Sequence, residues 1–125
     1  MVTTIDYLIN NFPSKLNNNM FNVCNLNISL DTIIKNKNNS AWKFNEIHKR
    51  SDLTIDFIEN LINYPNESNN DICRKLNWNE LIKHPIIDYN FLDKYKNHIL
   101  ISKYICKNKN ITFELIESSK LDILK

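Results

Sequence analysis

The chain has 125 residues, a length that fits one domain, with 42% hydrophobic residues for a core and a formal net charge of only +2. Such a near-neutral balance argues against generic attraction to nucleic acid or anionic membrane. Glycine is absent, which excludes glycine-rich phosphate loops and the dinucleotide-binding fingerprint.

In chain order, the first predicted element is a helix opening at Thr4-Ile5-Asp6-Tyr7-Leu8. A weak amphipathic stretch around Met20 to Cys24 precedes a second helix at Ser29-Leu30-Asp31-Thr32-Ile33. Trp42, Phe44 and Ile47 mark a short amphipathic element, followed by a helix at Thr54-Ile55-Asp56-Phe57-Ile58. Turn-forming residues then predict an insertion loop over 64–74. Leu76, Trp78, Leu81 and Ile82 form the next amphipathic element, which Pro85 stops before a helix at Asp88-Tyr89-Asn90-Phe91-Leu92. Leu100, Tyr104 and Ile105 precede the last helix, at Thr112-Phe113-Glu114-Leu115-Ile116.

These helix openings are copies of one pattern. A Ser, Thr or Asp caps the free backbone N–H groups, an acid or amide two residues on suits the positive end of the helix dipole, and apolar residues follow at helical spacing. The caps are separated by 25, 25, 34 and 24 residues, and removing about ten residues of the 64–74 insertion restores the period. Helices this short are marginal alone and need neighbours to cover their apolar faces. The expected fold is therefore all-α, one domain over residues 1–125. About five degenerate helix-turn-helix repeats, with second helices starting near Thr4, Ser29, Thr54, Asp88 and Thr112, stack as a small α-solenoid.

The phrase from Tyr104 to Ile116, with Asn108, Asn110, Ile111 and Thr112 in the turn and cap, resembles a tandem repeat of uncharacterised proteins from giant viruses of the mimivirus group. Trp42 and Phe44 match that repeat's aromatic pair, Trp78 its second aromatic with Leu76 in place of the first, and Pro85 its proline. The repeat's serine is lost, with His48, Ile82 and Cys106 at its place. The resemblance covers residues 40–118 well and the first 35 only through their helix. It implies helical repeats, an interaction role and no defined reaction, in a host cytoplasm or a virion. The predominance of asparagine, isoleucine and lysine, with one alanine (Ala41) and two arginines (Arg50 and Arg74), is the bias of AT-rich coding and agrees with such a source.

Without glycine, left-handed helix ends fall to asparagine, and Asn18, Asn19, Asn38, Asn39, Asn63, Asn97 and Asn108 are placed for it. No apolar run is long enough to cross a bilayer, and the amino terminus lacks the pattern of a secretory signal. Cys24, Cys73 and Cys106, odd in number and widely spaced, read as reduced thiols in the core of an intracellular protein. His48, His84 and His98 have no close His or Cys partner, so no metal site is expected and the histidines are placed on turn surfaces. Asp6, Asp31, Asp56 and Glu114 recur at one repeat position, as dipole-complementing acids rather than catalytic ones, and no catalytic or cofactor-binding residue is expected. Trp42, Phe44, Trp78, Tyr104 and Phe113 are expected between repeats in the core.

One basic feature is a candidate site. Lys49, Lys83 and Lys107 each lie five residues before a cap, beside Arg50, His84 and Lys109, with Lys94, Lys96 and Lys103 as extensions. Stacking would align them into a ridge able to bind a polyanion, although lysine there also complements the preceding helix's C-terminal dipole. The leading expectation is a non-enzymatic module binding a viral or host protein through repeat surfaces or open solenoid ends, the latter also allowing a homo-oligomer. The alternative is a nucleic-acid-binding helical repeat using the lysine ridge. Neither requires a membrane.

Overall fold

The structure, a computed structural model, describes residues 3–64, 71–98 and 100–119. Among these residues there are helices and turns and no β-strand, so the chain is all-α. Five α-helices follow the predicted caps: α1 (Thr4–Asn11), α2 (Leu30–Lys35), α3 (Ile55–Leu61), α6 (Tyr89–Tyr95) and α7 (Phe113–Ser119). Two further short helices, α4 (Asp71–Lys75) and α5 (Trp78–Leu81), lie between α3 and α6.

The caps do what their chemistry predicts. Ser29, Thr54, Asp88 and Thr112 each accept the backbone N–H three residues on, from Thr32, Phe57, Phe91 and Leu115. Only the first is displaced: Thr3, not Thr4, is the N-cap of α1, forming a capping box in which its hydroxyl accepts Asp6 N–H and the Asp6 carboxylate accepts Thr3 N–H. Either threonine is a good cap. The carboxylate three residues on selects Thr3.

Of the elements between these helices, α5 is the short amphipathic helix expected at Trp78 and Leu81, and the others are tighter than the sequence predicts. Phe44–Lys49, Ile101–Lys103 and Ile105–Lys107 are 3-10 turns, and the weak stretch near Met20 contributes only the three-residue turn Asn18–Met20. The insertion loop predicted over 64–74 is also corrected at its far end, because Asp71–Lys75 is helix α4 with Cys73 buried in the core; residues 65–70 of that prediction lie outside the described residues. Of the asparagines placed for left-handed helix ends, only Asn63 takes positive φ (58°), letting Tyr64 N–H reach back to Glu59 C=O.

One contiguous apolar core runs from Ile9 through Ile33, Ile58 and Leu92 to Leu115, all fully buried. Trp42 and Trp78 are buried within it and donate their indole N–H groups to Asn36 and Cys73 carbonyls. Phe113 corrects the expectation of a core aromatic: it sits on the outer side of the first turn of α7 with 69% of its surface exposed. Tyr104 is half-buried.

Asp6 ties α1 to its successor. The carboxylate is buried, and its second oxygen accepts the backbone N–H of Ser29, the cap of α2, at 2.8 Å. Nearby, Asn10 donates to Thr32 and accepts from Asn36, so three polar contacts join the two helices. Burial works to raise the Asp6 pKa, but the hydrogen bonds from Ser29, Thr32 and Thr3 outweigh it and hold the group below the ordinary 3.8. A depressed carboxylate stabilises the folded chain above its unfolded pKa and loses that contribution as pH falls through the folded one. We therefore predict that Asp6→Asn costs about 2 kcal/mol at pH 7. Urea unfolding of both proteins between pH 7 and pH 3 checks this: the gap between them should narrow below the ordinary carboxylate pKa, and a constant gap would contradict the assignment.

Candidate functional site

Three surfaces could carry function: the predicted basic ridge, a pocket beside the Asn18–Met20 turn, and the exposed apolar side chains. The ridge residues occupy the turn that leads into each cap. The structure separates them by what their side chains touch.

Arg50 is not on the surface. It is 2% exposed, its Nη1 donates to the carbonyls of Val23 (3.0 Å) and Asn25 (3.1 Å), and its Nε and Nη2 grip Asp52 in a two-point pair. The Arg50 guanidinium in turn holds the Asp52 carboxyl below its ordinary range. His84 is half-buried; its Nε2 lies 2.8 Å from Arg50 C=O and its Nδ1 accepts Ile86 N–H. A carbonyl can only accept, so the ring carries its proton on Nε2. Neither residue is free for a polyanion, and the turn-surface placement of His84 is corrected likewise.

These contacts share a position. Asn25, Arg50, His84 and Asn108 all stand four residues before a cap. Asn108, also buried, donates to Ile82 C=O at 2.6 Å and Ile87 C=O at 3.3 Å, carbonyls of the preceding turn. Asn25, His84 and Asn108 each accept the backbone N–H two residues on, which fixes the local turn. The side chain at this position thus locks its own turn, ties it to the previous one, or does both. Nothing in a single copy betrays the role. Superposing the copies at their caps aligns Asn25, Arg50, His84 and Asn108, but Lys49, Lys83 and Lys107 align one position earlier as well, so alignment alone does not mark the tie.

The lysines are exposed but mostly engaged. Lys49 pairs with Glu46 at 2.6 Å and Lys83 with Glu80 at 3.1 Å, each one helical turn back. In the last segment Tyr104 stands where those glutamates stand, and Lys107 donates across to the Asn79 side chain. Lys109 is exposed and has no partner among the described residues. Of the extensions, Lys94 bonds Glu59 and lies over the Tyr64 ring, Lys96 pairs with Asp93, and Lys103 is exposed. The six ridge residues therefore divide into two structural ties, two local ion pairs, one bridge and one free ammonium. They do not form a continuous row of available cations.

The pocket, about 340 Å³, lies between the Asn18–Met20 turn and the Phe44–Lys49 turn. Phe21 and Val23, both buried, make its floor, and Phe21 is fixed edge-on against Trp42 at 5.1 Å. Asn18, Asn19 and Asn22 form the rim, with Lys43 and Glu46 on the opposite wall. The hydrogen bond and charge of Lys49 lower the Glu46 pKa, and the more distant Lys43 adds to this. Lys43 has no ion pair among the described residues.

Among the described residues no three His, Cys, Asp or Glu side chains gather as a metal site would require. The cysteines are not all in the core as predicted: Cys73 is, Cys24 is half-buried with its thiol donating to Glu46 C=O, and Cys106 is exposed. Among the described residues no helix is long and apolar enough to cross a membrane. Large apolar side chains are nevertheless left in solvent: Phe113, Leu26, Tyr89, and the adjoining Tyr7 (54% exposed) and Phe12 (42%), whose rings meet edge-on at 6.1 Å.

No family model, curated protein or solved structure matches the chain.

The division of the ridge is testable by stability. Removing a buried partner leaves carbonyls unpaired, so Arg50→Ala is predicted to cost about 3 kcal/mol and Asn108→Ala about 2 kcal/mol. Lys49→Ala and Lys83→Ala, which break exposed pairs, should leave the urea midpoint where it is. Equal effects at all four positions would refute the distinction.

Proposed function

We propose that the chain is a small stack of helix-turn-helix repeats acting as a non-enzymatic protein-interaction module of the giant-virus type, binding a viral or host protein through its repeat surfaces. The stacked arrangement is supported by the recurrence of one bonding scheme: the side chain four residues before a cap reaches the carbonyls of the preceding turn at Arg50, His84 and Asn108. Contacts between successive capped helices support it too, α1 to α2 through Asp6 and Asn10, and α3 to α6 through Glu59 and Tyr95 at 2.8 Å.

The observation that carries the interaction reading is where the polar and apolar groups are used. The polar side chains that could do chemistry or grip a polyanion, Arg50, His84 and Asn108, are consumed inside the structure, whereas Tyr7, Phe12, Tyr89 and Phe113 are left in water. Exposed aromatic side chains are the residues that anchor protein interfaces, because each buries a large area at small entropic cost. The Tyr7–Phe12 pair and Phe113 lie on the first and last described helices, at positions that suit docking of a partner or of a second copy.

A tagged full chain, recovered from its own cells after mild cross-linking, tests this. It is expected to carry one protein reproducibly, a partner or a second copy of itself. Phe12→Ser combined with Phe113→Ser should lower that yield about tenfold while moving stability by less than about 0.5 kcal/mol each. Recovery of the chain by itself, or a yield that ignores both substitutions, would refute the reading.

A further inference from the structure

The pocket beside the Asn18–Met20 turn has a chemistry of its own. Resting on the interaction reading above, we propose that it receives a glutamate side chain of the partner protein, carboxylate toward Lys43 and methylenes on the floor.

The charges select an anion. Glu46 is already matched by Lys49 at 2.6 Å, so the local group of Lys43, Glu46 and Lys49 carries one uncompensated positive charge, and it resides on Lys43. The rim selects an acceptor. Asn22 spends its Oδ1 on the N–H of Cys24, which leaves its Nδ2 as the group on offer, and among the described residues neither Asn18 nor Asn19 has a side-chain hydrogen bond. Three carboxamides and an ammonium thus present donors around one opening. A single carboxylate accepts up to four such bonds, and bonds to an ionised group are the stronger kind.

The floor selects a stem. Phe21 and Val23 line the opening but are only 3% and 1% exposed, so the two methylenes of the stem meet a small apolar area that a bare anion does not touch. The size agrees, since about 340 Å³ accommodates a side chain and its flanking backbone, at the small end of binding cavities. A phosphate fits worse: it sets a second negative charge against one uncompensated positive charge, and it brings no apolar stem.

The opening has a structural cause. The Asn18–Met20 turn has three residues where Phe44–Lys49 has six, so the shorter turn does not fill the space beside the longer one.

The test is a titration of the full chain with acetyl-Ala-Glu-Ala amide and with its glutamine counterpart, followed by two-dimensional amide NMR. The glutamate peptide is expected to shift the amides of residues 18–23 and 43–46 saturably. The glutamine peptide, and the glutamate peptide on Lys43→Met, should each bind about tenfold more weakly, as loss of a charge-assisted bond implies. Lys43 is exposed, so this substitution leaves the fold intact. Non-saturating shifts, equal affinity for the two peptides, or an unaffected Lys43→Met would each overturn the proposal, and acetate binding as tightly as the peptide would overturn the role of the stem. A chain that keeps its cellular partner but ignores the peptide refutes the pocket alone. One that binds the peptide but is recovered without a partner refutes the interaction reading.

Discussion

A helix of six or seven residues gains too few hydrogen bonds to offset the cost of starting it, and the helices that open on the predicted caps run from six residues in α2 to eight in α1. Contact between segments therefore has to hold each one in place. Apolar burial supplies most of that contact, but it is non-directional and would tolerate sliding. Direction comes from the polar side chains that cross from one turn to the one before. Arg50 reaches Val23 and Asn25, His84 reaches Arg50, and Asn108 reaches Ile82 and Ile87. Buried carbonyls in irregular turns need donors, and in a chain without glycine or long helices the side chains provide them.

That constraint explains which features were legible in the sequence. Caps are local: Ser29, Thr54, Asp88 and Thr112 each bond an N–H three residues away, so residue type and spacing reveal them. The apolar periodicity after each cap is equally local, and Ile33, Ile58 and Leu92 are buried where it places them. The ties are not local. Arg50 and the lysine before it look alike in a linear reading, since both are basic and both precede a cap, yet one is sealed in the interior and the other pairs in solvent with Glu46. Only the carbonyls of Val23 and Asn25, more than twenty positions back, tell them apart.

Composition obscured the rest. Asparagine is so common here that Asn108 carried no special weight as a donor, and it was read instead as a left-handed helix end, which its φ of −86° excludes. Asn63, in the same list, does adopt that conformation because α3 ends in a left-handed turn there. The pocket was also invisible beforehand, because it arises from the unequal length of two neighbouring turns rather than from any motif.

Irregularity is also where recognition can enter. If every turn were the same length and every lysine had its glutamate, neighbouring segments would fill each other's grooves and present only a solvated face of paired charges. Two departures break that pattern. Tyr104 stands where a glutamate would hold Lys107, and Lys107 bonds Asn79 instead. Beside the three-residue turn at Asn18–Met20 lies the pocket, where Lys43 has no ion pair among the described residues and stands near the carboxamides of Asn18, Asn19 and Asn22. Exposed ammonium and amide groups are cheap to keep in water and strengthen only when a partner desolvates them. A surface built this way contributes little to the stability of the free chain, so selection on folding alone has no reason to preserve it.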